Sequence, residues 1–478
     1  MSNARAHATI TITLGVVTVL AGCGGGGAGG GGTVARDTTG HVVRTASGVA
    51  VSEEAHSRWQ EGLALFQRYE GQGWNAARCT ESSEKFAEAA DAQGGRFAEA
   101  LYMAGVSLDR CGQRAPALGF YNRALSANEH FCKARVAVGL TQVEAGGSEA
   151  MATFQRAVRD DNQCTEGYVN LAIVQRRSGN ADQVRESLNN LRRALAIDAQ
   201  YLPAFNEMAQ LYLDQASSDA QRLGLAEVVC RQAQQINRDY APIYNTWGLI
   251  NVRQGNIIGA LAKFERAYTL DNTMFEAFMN FGEITLGFRG YEDANRAFAR
   301  AVELRPRDYD AHIGYGAALR GLRQLPQAKA QYEAARELDG NRPESYFNLA
   351  LLSHDYMSGS EADLNHATEL YNQFLGKAGS NARYAAPVEE VRRRCPVIPP
   401  STTGHRRRRR STCRPGRLQL ITQTIEAMHM MAENTAAAAR IQAAAAERER
   451  QQQQQQQQNP TPRPTPAPAP TPPTDPHH

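Results

Sequence analysis

Small residues recur along the middle of the chain at a nearly constant interval, and large apolar side chains fill the positions between them. The first set of small residues is Gly105, Gly139, Ala172, Ala209, Gly248, Gly282, Gly316 and Ala350, with successive spacings of 34, 33, 37, 39, 34, 34 and 34. A second and a third small residue follow each of these. This spacing matches the length of one helix-turn-helix unit, so the pattern predicts a series of helix pairs.

The complete pattern shows where the two helices of a pair should touch. Its clearest triplets are Gly105/Ala117/Ala124, Gly248/Ala260/Ala267, Gly282/Ala294/Ala301 and Gly316/Ala328/Ala335. Two antiparallel helices approach closely only where side chains are small, so each triplet marks a crossing point. Aromatic and large apolar residues surround the crossings and are candidate core residues: Tyr244, Trp247, Phe264, Phe278, Phe281, Phe298, Tyr315, Tyr332, Tyr346, Leu349 and Tyr371.

The repeat resembles the tetratricopeptide repeat. YVNLA (168–172), FMNFG (278–282) and YFNLA (346–350) are similar to the first-helix signature of that family, and ALAKFERAYTLDN (260–272) and ANRAFARAVELRP (294–306) are similar to the second. The resemblance implies an all-α superhelix, an α-solenoid of about nine repeats. In such a fold each repeat covers the apolar face of its neighbour.

The predicted array covers residues 51–380, and some of its repeats are irregular. The first keeps the pattern at Gly62, Ser82, Phe86 and Ala89 only if residues 71–74 are an insertion. Further insertions should lengthen turns near Asp182, at 217–223 and at 358–364.

The start of the chain has the layout of a secretory signal. A short apolar run, residues 10–20, follows one positive charge at Arg5 and is too short to span a bilayer stably. The sequence Leu-Ala-Gly-Cys that ends at Cys23 resembles the lipobox of bacterial lipoproteins. This implies a signal peptide at 1–22 and an acylated Cys23. The alternative is an ordinary signal peptide with an incidental cysteine.

The lipobox resemblance also implies a location. Gly24 stands where an Asp favours inner-membrane retention, so we expect a lipid anchor in the outer membrane, on its periplasmic face or on the cell surface. Residues 23–50 should form a flexible glycine-rich linker, a tether that lets the folded part stand off the membrane.

The C-terminal region differs in composition and charge. Residues 391–478 contain 14 Arg and 5 acidic residues, a net charge of +9, whereas residues 1–390 carry −6. We expect an Arg/Pro-rich linker at 381–416, a helix at 417–450 and a disordered Gln/Pro-rich tail at 451–478. The run Arg406–Arg410 could bind anionic lipid or envelope polymers, or simply reflect composition. We expect no nucleic-acid partner in this compartment.

Signatures of catalysis are lacking in the sequence. It contains no HExxH, phosphate-binding loop or GxSxG motif, and no histidine stands at metal-ligand spacing from a cysteine or carboxylate. We therefore predict a protein that is not an enzyme and has no cofactor and no metal.

The family resemblance implies a concave groove that binds peptides. The matching positions on the first helices are Asn170, Arg176, Arg177, Asn206, Asn245, Leu249, Arg253, Met279, Asn280, Glu283, Ile313, Arg320, Phe347, Asn348 and His354. Asn can bond both peptide N–H and C=O, and Arg suits carboxylates, so the groove should accept an extended segment or a helix of apolar and acidic character. The alternative is that the asparagines serve local structure and the arginines are solvated.

Cysteine spacing suggests two disulfides in an oxidising compartment. Cys79 and Cys111 are separated by the same interval as Cys132 and Cys164. The second pair is less favoured, because adjacent first helices could lie beyond the roughly 7 Å limit between Cα atoms. Cys230 takes a core position and should be a buried thiol.

These features together predict a lipid-anchored scaffold that binds other envelope proteins. In outline the chain is similar to pilotins, which help secretins of type IV pili to assemble, and to repeat lipoproteins of the myxobacterial adventurous gliding-motility apparatus. The alternatives to a gliding scaffold are a pilotin-like assembly factor and a cell-wall enzyme with an unrecognised site.

Overall fold

The computed structural model describes residues 34–217, 219–357, 359–393 and 415–458, with the side chains of 441 and 444–458 left aside. Over these residues the predicted all-α class is confirmed, since the only β-structure is three isolated bridges. The helices are α1 Glu53–Gln72, α2 Ala76–Ala92, α3 Ala98–Asp109, α4 Arg114–Ala127, α5 Cys132–Glu144, α6 Ala150–Asp160, α7 Thr165–Arg177, α8 Ala181–Ile197, α9 Leu202–Gln215, α10 Gln221–Ile236, α11 Ala241–Arg253, α12 Ile257–Leu270, α13 Phe275–Gly287, α14 Tyr291–Leu304, α15 Tyr309–Gly321, α16 Leu325–Leu338, α17 Glu344–Tyr356, α18 Glu361–Ala378, a short 3₁₀ helix Ala382–Tyr384, α19 Ala385–Arg392 and α20 Arg417–Gln458.

The helices fall into two compact units. Unit 1 runs to Phe288 and contains α1–α13, of which the first twelve helices form six packed pairs. Unit 2 begins at Arg289 and contains α14–α20, in which α15 pairs with α16 and α17 with α18. Within each unit, neighbouring first helices also touch, as α7 does with α9 and α15 with α17. This is the arrangement of a tetratricopeptide solenoid.

The predicted crossings at Gly105, Gly248 and Gly316, each of which lies within one unit, are confirmed by burial. All eight alanines of the four triplets are fully buried. At Gly105 and Gly248 an aromatic ring lies directly against the backbone: a Cβ built on Gly105 would lie 2.5 Å from a ring carbon of Tyr121, and one on Gly248 would lie 2.4 Å from a ring carbon of Phe264. A methyl group does not fit there, so glycine is required by close approach.

In six of the described turns that follow first helices, one residue adopts the left-handed conformation. Gly112, Gly146, Gly179 and Gly255 follow first helices with φ between 70° and 77°, and the equivalent positions 289 and 323 hold arginines at φ 62°. A left-handed residue after a helix lets the next N–H groups reach back to the last carbonyls. Gln113 N–H donates in this way to Leu108 and Asn256 N–H to Asn251.

Residues 34–52 form a folded N-terminal cap, which corrects part of the predicted linker 23–50. Ala35, Val43 and Val51 exchange backbone hydrogen bonds in a ring: Ala35 N–H donates to Val51, Val43 N–H to Ala35 and Val51 N–H to Val43, each at 2.9 Å. Val51 and Ala35 are buried. The cap folds because its apolar residues cover the first helix pair.

Side chains of the first two pairs hold the cap in place. Ser52 N–H donates to Gln93 Oε1 at 2.9 Å, and Gln93 Nε2 donates to the Ala50 carbonyl at 2.8 Å. Ala46 N–H donates to the buried carboxylate of Glu99.

Two further boundaries differ from the sequence prediction. The insertion near Asp182 lengthens a helix and not a turn, because Asn180 caps α8 by accepting from the N–H groups of Asp182 and Gln183. The predicted linker 381–416 contains the 3₁₀ helix and α19, whose Val391 is fully buried.

The predicted helix 417–450 is present and longer than expected. α20 extends to Gln458, so the eight glutamines that were assigned to the tail are helical. Glutamine has a good helix propensity, which accounts for the extension. Leu418, Ile421, Ile425 and Met428 pack into the unit 2 core. Gly416 N–H donates to the Arg393 carbonyl at 2.8 Å, so α20 begins beside the end of α19.

The cysteines within the described residues occupy defined places. Cys79 forms a disulfide with Cys111 and Cys132 with Cys164, with Cα atoms 6.3 and 5.6 Å apart. Cys230 is a buried free thiol, and burial raises its pKa to about 12. The signal peptide, Cys23, the run Arg406–Arg410 and the tail from 459 onwards lie outside the described residues. None of the described helices has the length and apolar character needed to cross a membrane.

Candidate functional site: a cavity on the first helices of unit 1

Five successive first helices of unit 1 and the start of a sixth line one cavity of about 480 Å³, the unit 1 cavity. Its walls come from α3, α5, α7, α9 and α11, with Met274 and Glu276 beside the start of α13 and two side chains of α4. The lining residues are Tyr102, Val106, Asp109, Arg110, Arg114, Tyr121, Lys133, Val136, Ala137, Leu140, Thr141, Glu144, Glu166, Val169, Asn170, Ile173, Arg177, Tyr201, Pro203, Asn206, Glu207, Gln210, Tyr240, Pro242, Asn245, Thr246, Met274 and Glu276. A continuous strip of first helices is the geometry expected for an extended ligand.

Four of the sequence-predicted groove residues, Asn170, Arg177, Asn206 and Asn245, lie in this cavity. Asn170 Nδ2 donates to the Glu166 carbonyl of its own helix at 2.8 Å, so the local role that was the alternative reading is real. Its Oδ1 can still accept a hydrogen bond.

Asn206 and Asn245 differ from Asn170, because it is their side-chain oxygen that is already bonded within the protein. Asn206 Oδ1 accepts from Thr246 at 2.7 Å and Asn245 Oδ1 accepts from Asn280 Nδ2 at 2.9 Å. Within the described part of the chain, their Nδ2 groups remain available to donate. The three cavity asparagines thus offer one acceptor and two donors, which is a set that a peptide backbone can satisfy.

Arg176 does not line the cavity, although the sequence predicts it as a groove residue. Its guanidinium bonds Glu207 at 3.2 Å, Gln210 at 2.8 Å and Asp214, and so ties α7 to α9. The side chain is only 9% exposed. Burial raises the pKa of Glu207, and the neighbouring Arg176 guanidinium opposes that shift.

The remaining candidates of unit 1 do not line the cavity. Met279 is buried, Leu249 packs against the core, and Arg253 and Glu283 are exposed. Asn280 contributes indirectly, through its hydrogen bond to Asn245.

The five candidates of unit 2 belong mainly to its interior contacts. Phe347 packs on Tyr371 and Phe374 of α18, with ring centroids 6.2 and 5.1 Å apart. Asn348 Nδ2 donates to the Glu344 carbonyl, as Asn170 does in its own helix. Ile313 packs against the core, and the His354 ring lies against the Tyr371 ring. Arg320 Nη1 lies 3.5 Å from Asn348 Oδ1.

The tyrosines of the cavity were not among the groove residues predicted from the sequence. Tyr201 and Tyr240 each cap a first helix two residues before a proline in its first turn. The Tyr-x-Pro pattern recurs one repeat length later and was a usable signal. Burial raises the pKa of Tyr240, with a smaller contribution from Glu207, so this tyrosine stays neutral and serves as a hydrogen-bonding and packing surface.

The charges around the cavity are mixed. Five acidic and four basic residues line it, so the lining itself gives no support to the expected preference for acidic segments. Among the described residues, no group of three His, Cys, Asp or Glu side chains is placed to hold a metal ion. The cavity is suited to binding a peptide by hydrogen bonds, apolar contacts and paired charges.

No protein-family model and no curated protein matches the chain. Similar solved structures include YrrB, described as a TPR protein with an unusual peptide-binding site (18% identity, 40% of this chain and 95% of that chain, TM-score 0.30). PilF of Pseudomonas aeruginosa (19%, 48% and 98%, TM-score 0.40) and MamA (17%, 36% and 97%, TM-score 0.32) are also similar. The fold assignment rests on the helix pairs and their period, since these similarities are low. By those pairs, the chain is a helical repeat protein with the tetratricopeptide fold.

Proposed function

We propose that the protein is a non-catalytic scaffold that binds an extended segment of a partner protein in the unit 1 cavity. The observation that carries the proposal is the continuous strip of first helices, α3 to α11, with Asn170, Asn206 and Asn245 offering hydrogen bonds along it. Ordered polar groups beside apolar walls are the usual composition of a ligand site.

Site-specific photo-crosslinking tests the cavity. A photoreactive amino acid at Thr141, which lines the cavity, should crosslink to a discrete partner in cells, whereas the same amino acid at Ile258 should not. Ile258 is a suitable control because it is 84% exposed on α12. Equal crosslinking from both positions, or none from Thr141, would contradict binding in the cavity.

The proposed location is the outer membrane, through a lipid on Cys23. The support is the apolar run 10–20 followed by Leu-Ala-Gly-Cys. Cys23→Ala should move the protein from the membrane fraction to the soluble fraction, because acyl chains supply the membrane affinity. Gly24→Asp should leave it lipidated but shift it to the inner membrane. Membrane sedimentation of Cys23→Ala at the wild-type level would exclude the anchor.

The proposed assembly is an envelope complex, of which gliding machinery is one case. A scaffold predicts that deletion delocalises its partners, and a pilotin-like factor predicts the loss of secretin multimers instead. The run Arg406–Arg410 is proposed to bind anionic envelope polymers. Deletion of the gene, followed by imaging of crosslinked partners, separates the scaffold from the assembly factor.

A further inference from the structure

Most charged groups around the unit 1 cavity are already neutralised by protein partners. Arg114 pairs with Asp109 at 3.3 Å and with Glu144 at 2.7 Å. Arg110 pairs with Glu70 at 2.7 Å, outside the lining. Tyr121 donates to Asp109, and Glu207 is held by Arg176. These groups shape the wall and need nothing from a ligand.

Two charged side chains of the lining differ from these. Lys133 and Glu166 line the cavity, and over the described part of the chain neither side chain has a hydrogen bond or an ion pair. They do not pair with each other either. Lys133 is the second residue of α5 and Glu166 the second residue of α7, so they occupy equivalent places on adjacent first helices.

A disulfide joins the starts of the two helices that carry these side chains. Cys132 directly precedes Lys133, and Cys164 lies two residues before Glu166; the Cα atoms of the bonded cysteines are 5.6 Å apart. The starts of α5 and α7 are therefore covalently joined at the point where the two opposite charges enter the cavity.

A ligand that fills this part of the cavity must replace the water around both charges. Desolvating an ionised group without a partner is costly, so a favourable ligand supplies a carboxylate to Lys133 and a cation to Glu166. In an extended chain, side chains two residues apart point to the same face and lie about 6.6 Å apart. Such a pair presents both of its charges to the same wall of the cavity.

We propose that the unit 1 cavity selects an extended segment carrying an acidic and a basic residue two positions apart, the acid at Lys133 and the base at Glu166. This deepens the proposed peptide-binding function and rests on it. Lys133 and Glu166 act as specificity residues, and the Cys132–Cys164 disulfide joins the two helix starts that carry them.

Labelled peptides and the full chain provide the test. The probes are fluorescein-labelled ten-residue peptides of Val, Thr and Ala with a central Glu-x-Lys or Lys-x-Glu, and versions with Gln in place of either charge. Fluorescence polarisation should show one charged order binding about tenfold more tightly than its Gln versions. The double variant Lys133→Glu with Glu166→Lys should prefer the other order. Lys329→Gln, an exposed lysine of α16, should bind as wild type does.

The possible outcomes distinguish a failure of charge selection from a failure of the proposed peptide-binding function. Charge selection would be overturned if binding did not depend on the charges of the peptide. It would also be overturned if the double variant kept the wild-type order preference together with a native circular dichroism spectrum. Either result would leave peptide binding in place. If no peptide binds and Thr141 gives no crosslink in cells, the proposed function itself fails. A Cys132→Ser, Cys164→Ser variant should lose most of the charge preference and retain its helical content.

Discussion

At the scale of single residues, the fold depends on matched pairs of a glycine and an aromatic ring. Gly105 faces Tyr121, Gly139 faces Phe154, Gly248 faces Phe264 and Gly316 faces Tyr332, and a Cβ on any of these glycines would lie 2.4 to 2.5 Å from a ring carbon. The rings are themselves almost fully buried. Neither member can change size without moving a helix.

Gly248→Ala should therefore destabilise unit 1. The added methyl group overlaps the Phe264 ring, and overpacking of this kind costs about 1 to 3 kcal/mol. The free energy of unfolding from urea denaturation, followed by the fluorescence of the nearby Trp247, measures the loss.

Gly119→Ala is the matched control. Gly119 lies inside α4, and a Cβ there would meet no atom within 4 Å, so the change should stabilise the protein slightly through helix propensity. If both substitutions had the same small effect, the close approach of α11 and α12 at Gly248 would be wrong.

The small and aromatic residues of these pairs were predictable because they repeat along the sequence. The roles of the polar groove residues were harder to predict. The nearly constant interval located the buried glycines and alanines, whose burial the structure confirms. Arg176 is an example of a polar role that the sequence pattern did not predict. It occupies a groove position of the first helix, but its guanidinium pairs with Glu207 and Asp214 of the next repeat. Such contacts join residues of different repeats, which are far apart in the sequence.

At the scale of elements, the N-terminal cap shows what the helical pattern could not predict. Residues 36–43 and 44–51 share an Arg, a Gly four residues later and a Val at the end, and each Arg donates to the carbonyl of its Gly at 2.8 Å. This short repeat was visible in the sequence. Its fold depends on contacts with Gln93 and Glu99, which only the helix pairs supply.

The attachment of the cap should depend on pH through Glu99. Burial raises the pKa of the Glu99 carboxyl, and its Oε2 is buried with no partner among the described residues. The Glu99 carboxyl therefore keeps its proton to a higher pH in the native state than in the unfolded chain, where the pKa of Glu is about 4.3. Stability should fall as pH rises from that value through the folded pKa.

Glu99→Gln should remove this part of the pH dependence. The amide oxygen can still accept from Ala46 N–H, and no charge has to be buried at neutral pH. Urea unfolding at several pH values should show a flatter profile and a larger free energy of unfolding at pH 7 than in wild type. Glu84→Gln on the exposed face of α2 controls for the loss of one charge. An unchanged slope would mean that Glu99 does not govern the cap.

At the scale of the whole molecule, the two units differ in their covalent support and in their fluorescence. Both described disulfides lie in unit 1. All three tryptophans of the sequence, Trp59, Trp74 and Trp247, also belong to unit 1. Tryptophan fluorescence thus follows unit 1 alone, whereas circular dichroism at 222 nm follows the helices of both units.

Replacing the four bonded cysteines, Cys79, Cys111, Cys132 and Cys164, by serine should shift only part of the thermal transition. Each disulfide is worth about 3 kcal/mol for loops of this order, so the fluorescence midpoint should fall by roughly 10 °C. Circular dichroism should retain a component at the wild-type temperature, from unit 2. Replacing Cys395 and Cys413 should leave the fluorescence midpoint unchanged.

This result would also decide how the array unfolds. In repeat proteins the stability is approximately a sum of local terms and interfaces between neighbours, so loss of the disulfides should first release the pairs they connect. If fluorescence and circular dichroism instead shifted together by the same amount, the disulfides would stabilise both units as one cooperative body. The cavity on α3 to α11 would then be coupled to the stability of unit 2, and a ligand bound in unit 1 should raise the midpoint of both signals.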